Sequence, residues 1–241
     1  MRLGILGGGR AAWAFGSTWR RIGWPISGVW LRPESRSALP ELLEAPRTAI
    51  GDLDADLLLL AVSDRAIDDV AALVPETGAV LFHASGAMPS VRGGFSLHPL
   101  KSLPPAGMPS DLAGALLVFE GAHREVAEEI ARAAGARLAV IDLKDKVRYH
   151  AGAVFGANYV AALLDIAEEL VGVADAKDEL AALALSAVEN WRAHGDARRF
   201  TGPAARGDQD VIERHLAALA SRPEVAEIYR LLAARILATR K

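Results

Sequence analysis

Three consecutive glycines, six scattered histidines and no cysteine are the features of this 241-residue chain from which chemistry can be argued. Gly7, Gly8 and Gly9 follow a short apolar run, Arg2 to Leu6, and precede an apolar stretch from Ala11 to Ile22. Between a strand and a helix, the pattern Gly7-x-Gly9-x-x-Ala12 has a mechanical reading. The first glycine permits a tight turn, the second lets a pyrophosphate reach the backbone, and the third small residue lets helix pack on strand. The helix start at Arg10 and Ala11 then offers free N–H groups and the positive end of its dipole. We expect dinucleotide binding at Gly7, Gly9, Arg10 and Ala11; the competing reading is a glycine turn with a structural role alone. The segment after the second predicted strand reads Leu31-Arg32-Pro33-Glu34. NAD-binding chains usually carry an acid there for the ribose hydroxyls, whereas an arginine meets a 2′-phosphate. Arg32 therefore points to NADP. Glu34 keeps NAD as the alternative.

Hydride transfer to a C=O or C=N group needs a proton donor near the nicotinamide. In open parallel sheets, ligands sit beyond the carboxyl ends of the strands. His83 and His98 both end predicted strands, so both are expected on the cofactor side, with Val62, Ser63 and Ser85 in the neighbouring loops. Each histidine could equally hold a loop in shape. Lys146, Tyr149, His150 and Asn158 are further candidates. In one helix, at about 100° per residue, Lys146, His150 and Asn158 fall at roughly 0°, 40° and 120° and share a face. Ala151, Gly152, Ala153, Gly156 and Ala157 between them are small and permit close approach. The same three residues could form a buried polar link between helices, or, for Lys146, simply be solvated. Thr201 to Asp208 reads as a loop in which Thr201 and Arg206 could meet an anionic substrate, Arg206 in bidentate fashion. Its plainer reading is a helix-start loop, with Asp208 or Asp210 as the cap. His215 sits among apolar residues and is expected to pack. His123 and His194 read as surface residues. No metal-ligand spacing and no Gly-x-Ser-x-Gly elbow occur.

These residues need elements to hold them. Strands are expected at residues 2–6, 25–31, 57–62, 79–83, 95–98, 115–119 and 137–141. Helices are expected at 11–22, 37–43, from Ser63-Asp64 to 74, and at 123–134. Such alternation implies a parallel sheet covered by helices on both faces. From Lys144 onward no strand signal appears, and helices are expected at 144–171, 177–194, 210–220 and 224–239. The fold class is therefore α/β, a Rossmann-type parallel sheet domain over residues 1–143 followed by an all-α helical domain over 144–241.

The net charge of −3 gives no basic face for nucleic acid. The absence of cysteine excludes disulfides and thiolate metal sites. The longest uninterrupted apolar run, Leu57 to Val62, is far too short to span a membrane. The expected compartment is the cytoplasm and the expected partner a small-molecule substrate.

Across nearly the whole chain, in order, come Gly7-Gly8-Gly9, Ala61-Val62-Ser63-Asp64, His83-Ala84-Ser85-Gly86, Ser96-Leu97-His98-Pro99-Leu100, Tyr149-His150-Ala151 through Asn158, and Thr201-Gly202-Pro203 with Arg206-Gly207-Asp208. With these the chain resembles the Rossmann-like proteins that carry the C-terminal domain of unknown function DUF2520. These are similar to pyrroline-5-carboxylate reductase, ketopantoate reductase and the 6-phosphogluconate-dehydrogenase-like group. The resemblance implies an NADP-dependent oxidoreductase architecture without naming a substrate. In the related dehydrogenases the first helix beyond the Rossmann domain lines the substrate cleft. That makes His150 and Asn158 the expected catalytic pair, with His98 and Lys146 beside them, in a cleft between the domains. It also implies a homodimer through the helical domain. A dinucleotide-binding sensor or partner protein without catalysis is the alternative.

Overall fold

The computed structural model describes residues 1–195 and 197–240, without the side chains of 197 and 240. Seven strands form one sheet: β1 (Leu3–Leu6), β2 (Ile26–Trp30), β3 (Leu57–Leu60), β4 (Val80–His83), β5 (Phe95–Pro99), β6 (Leu116–Gly121) and β7 (Arg137–Val140). Their order is β2-β1-β3-β4-β5-β6-β7. The chain winds outward from β1 in both directions, so β1 and β3 flank the point where the winding reverses, the usual place for a ligand in such sheets. The helices of this part are α1 (Arg10–Arg21), α2 (Leu39–Leu43), α3 (Ile67–Leu73), α4 (Arg124–Ala134) and α5 (Leu143–Gly156).

Burial explains the strands. β1 and β3 are LGIL and LLLL, buried along their whole length, as expected of strands covered on both faces. Alternation then sorts the side chains. Leu3, Ile5, Leu57, Leu59, Phe82, Phe95, Leu97 and Phe119 join Phe15 and Trp19 of α1 and Ile130 of α4 in one core. Leu6, Leu58, Leu60 and Leu81 join Ile67 and Val70 of α3 in the other. The first core is aromatic at its centre: Phe82 stacks on Phe95 at 5.0 Å, and Phe15 meets Phe82 edge-on at 5.5 Å.

One expectation needs correction. The sheet is not wholly parallel, because β5 and β6 run antiparallel, with Ser96 opposite Glu120 and His98 opposite Val118. Strand–helix alternation predicts parallel neighbours only where a crossover carries the chain back to the starting edge. Residues 100–115, which include Leu103-Pro104-Pro105, form no helix and bring the chain back beside β5 in the opposite sense. This stretch packs on α1: Trp13 donates to the Met108 carbonyl and Leu112 N–H donates to Thr18 Oγ1.

The described residues after β7 are helical or irregular, without strands. The helix expected at 144–171 is two helices. α5 stops at Gly156, Ala157 has φ −129° and ψ −70°, and α6 (Asn158–Val171) begins afresh. The run Gly152-Ala153-Val154-Phe155-Gly156 carries two glycines, each disfavouring helix by about 1 kcal/mol relative to alanine, which lowers the cost of a break. Beyond it come α7 (Lys177–Ala193), α8 (Gly202–Arg206), α9 (Gln209–Ala218) and α10 (Pro223–Leu237). α8 lies where a loop was expected. Pro203 suits its first turn, and Gly207, at φ +81°, ends it. The sheet gives way to helices at residue 143, while the chain divides into compact units at Met1–Gly156 and Ala157–Lys241. No described helix is long and apolar enough to cross a membrane.

Candidate functional site

The glycine turn behaves as its spacing requires. Gly7 has φ +114°, and a Cβ there would lie 2.3 Å from the Ala61 carbonyl oxygen, so only glycine fits. Gly9 caps α1 with extended backbone and no side-chain bond, and a Cβ on it would have nothing closer than 4.0 Å. The first turn of α1 holds no acid. Its first intrahelical bond is Trp13 N–H to the Gly9 carbonyl, so the preceding N–H groups are free for a ligand. Ala12, the third small residue, is fully buried against the sheet.

A cavity of about 440 Å³ opens on this turn, lined among others by Gly7, Gly9, Arg32, Val62, Ser63 and Arg65. Five of the expected cofactor residues therefore meet at one place, and Arg65 is an addition that sequence reasoning missed. Arg32 is largely exposed and pairs with Glu34 at 3.3 Å, which sets the two residues in competition for a ribose or its phosphate. Arg10 turns away, donating to the Leu103 carbonyl at 3.3 Å; Ala11 follows it in the first helical turn. A second hollow, of about 560 Å³, lies at the opposite, amino edge of the sheet and is lined by Asp52, Asp54 and Asp56. Those acids repel a dinucleotide phosphate, so the carboxyl edge is the candidate site.

Further along that edge stands a polar row. Register places His83 beside Ser96 and Ser96 beside Glu120, all on the sheet face that carries Leu60. His83 is fully buried; its Nε2 lies 2.8 Å from the Pro89 carbonyl and its Nδ1 accepts from Ser85 N–H. Ser85 Oγ accepts from the N–H groups of Ala87 and Met88. Both residues thus shape the loop after β4 from within, the plainer of their two readings. Glu120 accepts from Ser90 N–H at 2.9 Å and from Lys146 Nζ at 3.0 Å, and Lys146 also donates to Ser96 Oγ. Lys146 is 2 % exposed. Its ammonium is engaged inside the protein by Glu120 and Ser96, which ties α5 to β6 and β5. Burial disfavours both charges. For Glu120, the Lys146 hydrogen bond and charge and the Ser90 donors outweigh burial and hold its carboxyl below the usual carboxylate range.

The anchor fixes the rotation of α5. Tyr149 and His150 lie three and four residues beyond Lys146, on the same helix face. His98 lies two residues beyond Ser96, on the same strand face. The steps match, and the three side chains meet. Tyr149 Oη lies 2.6 Å from His98 Nδ1. The His98 and His150 rings sit edge to face at 5.6 Å. A Cβ on Gly86, in the loop after β4, would lie 2.5 Å from His150 Cδ2 and 3.1 Å from His98 Nε2. Gly86 thus leaves the space that both rings occupy, with no signal in the sequence beyond its place in His83-Ala84-Ser85-Gly86. Burial, then the charges of His150 and Lys146, lower the His98 pKa to about 4. Burial raises Tyr149 to about 12. At neutral pH both are uncharged, so His98 is not the near-neutral acid that its residue type suggests.

Asn158, Thr201 and Arg206 belong to the second unit. Asn158 is the exposed first residue of α6, and the break at Ala157 removes the helical phase that tied it to His150. Thr201 precedes α8, and Arg206 at its end pairs with Asp208 at 2.8 Å. His215 packs edge to face on Tyr229 and bonds its hydroxyl at 2.8 Å. No described group of three or more His, Asp or Glu could hold a metal.

A doubly wound sheet with a glycine turn at its switch point, followed by helices, defines a Rossmann-type α/β protein with a helical C-terminal region. The chain belongs to the family that carries the domain of unknown function DUF2520, which matches residues 117–236 and so takes in β6, α4 and β7 as well as the helices. Among solved structures, a Bacteroides fragilis protein described provisionally as an NADP oxidoreductase is similar over 98% of both chains, with 23% identity and a TM-score of 0.84. A Thermotoga maritima protein is similar over 99% of both, with 22% identity and a TM-score of 0.73. The 1-pyrroline-5-carboxylate reductase of Streptococcus pyogenes shares 15% identity over 99% of this chain and 98% of its own, with a TM-score of 0.64. At such identities the likeness is one of fold. No sequence among the curated proteins matches the chain.

Proposed function

We propose that the protein is an oxidoreductase that transfers a hydride between NADPH and a small C=O or C=N substrate. The observation that carries this reading is one continuous edge. The cavity at Gly7–Gly9, with Arg32 and Arg65 in its lining, lies at the same carboxyl edge of the sheet as the His98–Tyr149–His150 cluster. A pyrophosphate held at the α1 N-terminus would leave Arg32 and Arg65 to meet the adenosine end and the strand ends to meet the nicotinamide. The oxidoreductase name of the Bacteroides fragilis protein and the reductase name of the Streptococcus pyogenes protein agree with this reading. When bound, the dinucleotide supplies the hydride. His150, on the cluster's helix side, supplies the proton, and His98 orients the reacting group. A sensor that only binds the dinucleotide would have no use for three polar rings at this end.

Calorimetric titration with NADPH and NADH tests the reading. NADPH should bind more tightly, and Arg32→Ala combined with Arg65→Ala should remove most of that preference. Absence of binding by either dinucleotide at millimolar concentration overturns the function. Equal affinities in the wild type overturn the NADP preference alone.

A further inference from the structure

We infer that Tyr149 is a positioning residue that fixes His98 as its Nε2–H tautomer, so that the site presents an uncharged N–H donor and takes the oxygen of a ketone or aldehyde. The inference deepens the reductase reading and rests on it for the substrate class, while the tautomer stands on geometry alone. The Tyr149 hydroxyl and His98 Nδ1 are 2.6 Å apart. That bond has two senses. If His98 donated, the phenol proton would be left to solvent, since no protein acceptor for it is found among the described residues. With Tyr149 as donor, the phenol proton and the Nδ1 lone pair satisfy each other. The His98 proton then resides on Nε2, the atom facing Gly86 and the His150 ring. Nε2 has no hydrogen-bond partner among the described residues and is not sealed from solvent. It is an open donor of the cluster.

The surroundings keep the ring neutral. His150 and Tyr149 face it from α5, Gly86 from the loop after β4, and the charges of Lys146 and Asp64 act on it from further away. A cation on His98 would lie against the His150 ring and within the field of Lys146. A neutral Nε2–H recognises a lone pair. A carbonyl oxygen has one to offer, whereas the nitrogen of a protonated iminium has none. The cluster therefore favours carbonyl reduction over reduction of a preformed iminium.

Long-range proton–nitrogen correlation of the histidine rings in the ¹⁵N-labelled full-length protein decides the tautomer, with His98 assigned from the spectrum of His98→Gln. At pH 7, His98 should show an unprotonated Nδ1 and a protonated Nε2. In Tyr149→Phe, which keeps the ring, the two shifts should move towards each other as both tautomers become populated. A wild-type His98 protonated on Nδ1 or on both nitrogens overturns the proposal, as does an unchanged His98 in a folded Tyr149→Phe. The wild-type spectrum suffices should that variant not fold, and it needs neither cofactor nor substrate, so failure of the reductase reading would be seen separately. In the NADPH oxidation assay, turnover of a permanently charged N-alkyl iminium with none of ketones or aldehydes overturns the substrate class.

Discussion

Lys146 and Glu120 show how one contact between residues places a site. Both side chains are buried, and each charge is tolerable there only beside the other. Removing one partner of a buried pair typically costs about 3–5 kcal/mol, because the remaining charge stays buried without compensation. Glu120→Gln should therefore lower stability by that order, read from urea unfolding midpoints. A double replacement, Glu120→Leu with Lys146→Met, should recover much of it. If Glu120→Gln is neutral, the pair does not anchor α5. His98 gives a second test through pH. Its folded-state pKa lies below its ordinary value of 6.5, at about 4, so between those limits the unfolded chain binds more protons. Stability should accordingly fall as pH drops from about 6.5 to about 4, and less steeply in His98→Gln. Glu120, depressed in the fold, adds a loss in the same direction below the carboxylate range. An equal slope in wild type and His98→Gln would contradict the burial of that ring.

Between elements, β5 and α5 work as a pair of matched rulers. The strand advances about 6.6 Å from Ser96 to His98, and the helix about 4.5–6 Å from Lys146 to Tyr149 and His150. Fixing the first residue of each fixes the rest. The loop after β4 completes the arrangement because Gly86 leaves room for both rings. Gly86→Ala should push the His150 ring aside while leaving the glycine turn intact. Its NADPH affinity should stay near wild type, and turnover on whichever substrate is found should fall at least about tenfold. His150→Ala should behave alike, since a positioned acid is worth about 10²–10⁴ in rate. Loss of NADPH binding in either variant, or unchanged turnover in both, would place the chemistry elsewhere.

For the molecule as a whole, the helical unit lacks a core in proportion to its length. Among its described residues the buried apolar ones are Leu180, Ala204, Ile212, Val225, Ala226 and Ala233. Meanwhile Leu163 and Leu170 of α6, Leu183, Leu185, Val188 and Trp191 of α7, and Leu231 and Leu232 of α10 are exposed. Monomers seldom leave so many large apolar side chains in water. We propose that a second copy of the chain covers them in a two-fold symmetric dimer. Light scattering at micromolar concentration should give twice the chain mass of 25.5 kDa, and Trp191→Arg should shift it towards the monomer. A monomer mass for the wild type would refute this.

How much of the molecule is legible in the sequence divides along a physical line. Periodicity and glycine spacing are local, so the order of strands and helices, the turn at Gly7–Gly9 and the change to helix after residue 143 can be read from the chain. The resemblance carried by His98-Pro99-Leu100 and Tyr149-His150-Ala151 likewise points to the residues that meet. What sequence does not supply is direction and partnership. The sense of β6 depends on how a helix-free connection returns, and a helical phase carried through residues 144–171 does not foresee the break at Ala157. The fate of Lys146 is decided by Glu120, 26 residues away, and Ser96, 50 residues away. Whether a charged or titratable side chain serves chemistry or anchors a helix is set by what tertiary contact places against it. That is why His83 and Lys146 lie inside the protein and His98, Tyr149 and His150 come together at the edge of the sheet.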